Sequence, residues 1–76
     1  MAHMPGQFKA VTVHINGSER DIPEGTTLED LVSLLRLQKK TIVVERNRQV
    51  ADKTAYALTQ LKENDQIEIV HFVGGG

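Results

Sequence analysis

Val73-Gly74-Gly75-Gly76 is the stretch of this sequence best suited to chemistry. Glycine carries the highest backbone entropy of any residue, so three in a row are expected to form a flexible tail outside the fold. Without Cβ atoms such a peptide can thread a narrow channel and approach a ligand closely. The reactive group it offers is the α-carboxylate of Gly76. A carboxylate is a poor electrophile, but a partner can convert it with ATP to an acyl-adenylate. A sulfur or nitrogen nucleophile can then displace AMP, and Gly76 gives that attack the least steric hindrance. On composition alone, a frayed end or a cloning remnant is an equal reading of the same residues.

The remaining side chains suggest no catalytic set. No nucleophile–base pair, metal cluster or phosphate loop is visible. Gly74-Gly75-Gly76 cannot cradle a phosphate, because no helix follows it. His71 lies beside the tail, but nothing near it supplies a triad, and a solvated strand histidine is the expected role. His14 and His3 do not form a metal spacing with it. Arg46 and Arg48 flank Asn47 on a turn and read as solvated. Glu63 and Asp65 read as a polar turn, with Asp65 a local cap. Phe72 and Val73 stand where the tail would leave the fold. They could form an apolar grip for a partner, although core packing is the expected role of Phe72.

Length and composition narrow the function classes. The 76 residues make one domain. A domain of that size has little room for an enclosed active site, which favours a carrier or binding module over an enzyme. The formal charge is −1, from 9 basic and 10 acidic residues, with no basic stripe to suggest nucleic acid. Nothing is long enough to span a membrane, and no signal-peptide core is present. The absence of cysteine fits a cytoplasmic protein and means that no thiol of this chain carries sulfur. Met1-Ala2-His3-Met4 looks like a tag scar, so residues 1–6 are expected to be a leader, residues 7–73 a folded domain and residues 74–76 the tail.

Hydrophobic periodicity predicts the elements that must position this tail. Phe8 to Ile15 alternates with Val11, Val13 and Ile15 on one side, as a half-buried strand does. Asn16-Gly17 predicts a tight hairpin into a return strand over Ser18 to Ile22, closed by Pro23 and Gly25. Thr26 and Glu29 have the spacing of a capping box. Leu28, Leu31, Val32 and Leu35 predict a helix over about Leu28 to Leu37, with Arg36 in its last turn. Thr41 to Glu45 is a β-branched strand, and Asn47-Arg48 turns into Gln49-Val50-Ala51. The segment from Ala51 to Lys62 holds a short strand, a helical turn or both, anchored by Tyr56, Leu58 and Leu61. After the polar turn at residues 62–65, Gln66 to Phe72 forms the last strand. Ile67, Ile69, Val70 and Phe72 suggest burial on both faces, as in a central strand. The order predicts an α+β, β-grasp roll: a mixed sheet of four to five strands with one main crossover helix, first and last strands parallel at its centre.

Together these residues resemble the ThiS family, the ubiquitin-like sulfur carriers of thiamine biosynthesis. The resemblance spans nearly all of Val11 to Gly76. It rests on Ile15-Asn16-Gly17, on Thr27-Leu28 with Leu31 and Leu35, and on Val43-Val44-Glu45-Arg46-Asn47. The run from Asp65 to Gly76, ending His71-Phe72-Val73-Gly74-Gly75-Gly76, is its most specific part.

The resemblance implies that the chain is a protein co-substrate rather than an enzyme. An E1-like activating enzyme of the ThiF type would adenylate Gly76 with ATP and magnesium, the chain itself binding no cofactor. A persulfide donor would convert the adenylate to a thiocarboxylate, and a ThiG-type thiazole synthase would take the sulfur. Gly74, Gly75, Val73 and Phe72 would engage these partners. The small subunit of molybdopterin synthase is the nearest alternative, although its tail tends to carry a proline absent here. Other sulfur carriers, and a β-grasp binding module without covalent chemistry, are further alternatives.

Overall fold

The computed structural model describes residues 9–72. The expected leader, residues 1–6, and Val73, Gly74, Gly75 and Gly76 lie outside the described residues.

Strand β1 (Ala10–Ile15) and strand β2 (Ser18–Pro23) pair antiparallel across Asn16-Gly17. Both turn residues have positive φ, 48° and 86°, as a type I′ turn requires. The pairing runs one residue further than expected, because Pro23 lies opposite Ala10 on an edge strand, where proline is tolerated.

Helix α1 (Leu28–Leu34) begins at the expected residue. Its cap is Thr27, not Thr26. The Asp30 amide donates to Thr27 Oγ1 and the Thr27 amide donates to Asp30 Oδ2, both at 3.0 Å. Thr26 is already committed: its hydroxyl donates to the Pro23 carbonyl at 2.6 Å, and its own carbonyl accepts from the Leu61 amide at 2.8 Å. Glu29, the expected capping partner, instead pairs with Lys39 at 2.9 Å.

The helix ends three residues earlier than expected. Arg36 adopts φ 60°, its amide reaches the Ser33 carbonyl, and the Leu37 amide reaches the Val32 carbonyl. This is a Schellman ending with arginine in the position glycine usually fills. Arg36 therefore lies past the helix rather than in its last turn. Leu35 and Leu37 still pack on the core from the loop that follows.

A 3-10 turn at Lys39–Thr41 leads into β3 (Ile42–Arg46). Asn47 and Arg48, both at positive φ, turn it into the two-residue β4 (Gln49–Val50). The unclear segment resolves as a 3-10 helix, Lys53–Leu58, followed by a bridge between Gln60 and Thr27. Tyr56 and Leu61 are buried anchors as expected, but Leu58 is 85% exposed. With three residues per turn, Leu58 cannot share the inward face of Tyr56.

The last strand is β5 (Gln66–His71), and the sheet order is β2-β1-β5-β3-β4. β5 lies at the centre, parallel to β1 and antiparallel to β3. This is the expected α+β, β-grasp arrangement. The helix covers only one face, so β5 alternates: Ile67 and Ile69 are buried, whereas Val70 is 59% exposed and Phe72 49% exposed. The expected burial of both faces is thus not found.

Side chains complete the holding of β5. Its parallel ladder to β1 joins only His14 with Gln66 and Ile15 with Ile67. Beyond it, the Asn16 side-chain amide takes the place of a strand residue, accepting from the Ile69 amide at 2.8 Å and donating to the Ile69 carbonyl at 3.2 Å. At the start of β5, Asn47 Oδ1 accepts from the Gln66 amide at 2.9 Å. Asp65, 6% exposed, accepts from Arg46 Nε and the Lys62 amide at 2.8 Å each and from Asn47 Nδ2 at 3.0 Å. Arg46 is thus a strand-end partner of a buried carboxylate rather than a solvated turn residue. Glu63 also has a partner, the Thr12 amide at 2.9 Å.

Two consequences can be measured. Asn16→Gly keeps a residue tolerant of positive φ but removes both bonds to Ile69. It should destabilise the fold by about 2–3 kcal/mol, combining two lost hydrogen bonds with the extra chain entropy of glycine. A loss below about 1 kcal/mol by denaturant titration would assign only the entropy. Burial pushes the Asp65 carboxyl up, but hydrogen bonds from Asn47, Lys62 and Arg46 outweigh it and hold its pKa below the ordinary 3.8. A depressed folded pKa stabilises at pH above the unfolded value and is lost as pH falls through the folded value. Thermal melts should therefore show the wild type losing stability as pH drops below about 4. Asp65→Asn should start lower at pH 7 and show a flatter acid limb; parallel curves would contradict this.

Candidate functional site

β5 delivers the chain to residue 72 from the best-held position in the sheet. His71 lies opposite Ile42, and beyond the strand the Phe72 amide donates to the Thr41 carbonyl at 3.0 Å. The backbone is thus paired to the last described residue. Val73, Gly74, Gly75 and Gly76, the other residues singled out by sequence, follow directly but lie outside the described residues. Phe72 is therefore the one sequence-selected site residue with a described position.

That position overturns the expectation of core packing. Phe72 has the parity of Val70, away from the helix, and is about half exposed. Its ring lies under the ammonium of Lys53, which is 5.4 Å from the ring centroid. A cation over an aromatic face is attracted to the ring quadrupole without burying the ring. The open face continues with Val70 opposite Val43, and with Val50 exposed on β4. Further along, Glu45 and Glu68 lie directly opposite each other, and with Arg48 and Gln66 they line a shallow depression. Like charges in that cross-strand position repel. The open face thus changes from apolar at the Phe72 end to acidic at the Gln66 end.

Val70, Val43 and Val50 were not singled out by sequence. Strand parity could have flagged Val70, since Ile67 and Ile69 take the covered face. Lys53 is 19 residues from Phe72 on a segment without regular periodicity, and no sequence signal links them.

The remaining candidates stay apart. His14 pairs with Gln66 across the parallel ladder, and His71 stands five residues further along β5, about 17 Å at strand rise. Among the described residues, no group of three or more His, Cys, Asp or Glu is gathered as a metal site. No described helix is long and apolar enough to cross a membrane. What the arrangement offers is a partly exposed apolar surface at the end of a firmly held strand, leading to three glycines.

A model of the ThiS family matches residues 7–76. The sulfur carrier protein ThiS of Bacillus subtilis is 40% identical over 65 residues, covering 84% of this chain and 98% of that protein. A thiazole synthase of Magnetococcus marinus is 44% identical over 64 residues, 84% of this chain but 20% of the synthase. The chain thus spans about a fifth of that relative's length. A crystal structure of the thiamine biosynthesis protein ThiS from Geobacter metallireducens superimposes with a TM-score of 0.75 at 29% identity, covering 87% of this chain and 100% of that one.

Proposed function

This chain belongs to the ThiS family, and we propose that it carries sulfur on the carboxylate of Gly76 for thiazole formation in thiamine biosynthesis. It is a sulfur carrier and co-substrate rather than an enzyme. The observation that carries the reading is Val73-Gly74-Gly75-Gly76 one residue after the central strand β5, in a chain that aligns along almost the whole of a known carrier.

The chemistry proceeds in two displacements. A Gly76 carboxylate oxygen attacks the α-phosphorus of ATP and expels pyrophosphate, leaving an acyl-adenylate. A persulfide sulfur then attacks the acyl carbon and AMP departs, forming an acyl disulfide. A thiol attacks the donor's own sulfur, the one not bonded to the acyl carbon. The S–S bond breaks, a new disulfide forms on the partner side and the thiocarboxylate is released. The chain has no cysteine, so both the persulfide and the thiol belong to partners. The thiocarboxylate sulfur is a better nucleophile than the oxygen it replaces, which suits it to donation.

The partners follow from these steps. An E1-like activating enzyme of the ThiF type binds ATP and magnesium and performs the adenylation. A persulfide protein delivers the sulfur, and a ThiG-type thiazole synthase accepts it. Support for the synthase comes from a thiazole synthase that contains a segment similar to this chain. Phe72, with Val70 and Val43 beside it, supplies the apolar surface a partner grips, while Val73, Gly74 and Gly75 thread toward its active site. Neither nucleic acid nor a membrane takes part, and the reaction is placed in the cytoplasm, where ATP is available.

The reading requires a free carboxylate at Gly76. A chain extended by two residues beyond Gly76 should give no ATP–pyrophosphate exchange with a ThiF-type enzyme that exchanges with the unextended chain. Equal exchange from both would contradict the assignment of Gly76.

A further inference from the structure

Three observations meet at Phe72. Its amide is bonded to the Thr41 carbonyl at 3.0 Å, one bond beyond the end of β5. Its ring is half exposed yet lies 5.4 Å from the Lys53 ammonium. Lys53 itself is partly buried, and among the described residues no carboxylate lies within ion-pair distance of it. Lys39 differs: it also lies over an aromatic ring, that of Tyr56, but is paired with Glu29.

Lys53 stands on a fixed base. It opens the 3-10 helix Lys53–Leu58, whose cap Asp52 accepts from both the amide and the hydroxyl of Thr54 at 3.0 and 2.8 Å. The same short helix is anchored by buried Tyr56. The ammonium is therefore delivered to Phe72 from an element tied to the core.

We propose that Lys53 is a positioning residue for the carrier's carboxyl-terminal segment. Its ammonium on the Phe72 ring and the Thr41 carbonyl on the Phe72 amide form a two-point clamp on residue 72. The clamp holds that residue in one orientation when an activating enzyme takes up the residues after it. A cation suits this task better than an apolar cover, because it steadies the ring while leaving part of it exposed for the partner. The inference rests on the proposed activation of Gly76, but the clamp itself can be read without it.

The test compares wild type with Lys53→Met, which keeps the stem and drops the charge, and Lys53→Arg, which keeps the charge. The clamp is read from the 1H–15N heteronuclear NOE of the Phe72 amide, and its use from ATP–pyrophosphate exchange. Lys53→Met should lower the Phe72 NOE and raise KM for the carrier about three- to fivefold, as loss of one exposed cation–π contact implies, with kcat and Tm unchanged. Lys53→Arg should restore both readouts. A Phe72 NOE unchanged in Lys53→Met, or a KM equal in all three proteins, would overturn the proposal. A wild type that shows no exchange would instead remove the functional reading, and the NOE comparison would still decide whether the clamp exists.

Discussion

The central strand must be held on both sides, although its pairing to β1 provides only two residue pairs. Parallel pairing is the weaker ladder per residue, and here it is also short. The deficit is met by side chains. Asn16 exchanges two hydrogen bonds with Ile69 from within the hairpin turn. Asn47 bonds the Gln66 amide from the opposite turn, while Asp65 gathers Arg46, Asn47 and the Lys62 amide at the strand's start. Two type I′ turns therefore do more than reverse the chain. Their asparagines brace the strand between them.

The rest of the architecture depends on this bracing. With β5 fixed, one helix of seven residues and the buried anchors Tyr56 and Leu61 cover one face, and the core closes between them and the inward residues of the strands. The uncovered face becomes available for contact. Its apolar end, at Val43, Val70 and Phe72, is the end toward which β5 delivers the chain. A carrier needs this combination, because a partner must grip a rigid body to reach a terminal group. Holding the last strand firmly and leaving one face uncovered are thus two aspects of a single design.

Much of this was legible in the residues. The alternation of Val11, Val13 and Ile15, the Asn16-Gly17 turn and the spacing of Leu28, Leu31 and Val32 predicted elements that are present. The topology followed, since one crossover helix permits a parallel central pair. The limits are equally physical. Thr26 and Thr27 are equivalent as caps by sequence, and tertiary bonds to Pro23 and Leu61 decide between them. Arg36 at the helix end carries no glycine signal for its left-handed backbone. Asp65 looked like a turn residue because the partners that bury it, Arg46 and Asn47, are distant in sequence. Phe72 was assigned to the core by its size, whereas strand parity would have placed it outside. The other expected site residues, Val73 to Gly76, lie outside the described residues.

The central claim, that Gly76 carries sulfur, is tested most directly by intact mass. The chain would be incubated with a ThiF-type activating enzyme, MgATP and a persulfide donor, then weighed and mapped by fragmentation. The account predicts a mass gain equal to one oxygen replaced by sulfur, located at Gly76. An unchanged mass, with the same enzyme and donor shown to modify a known carrier, would contradict it.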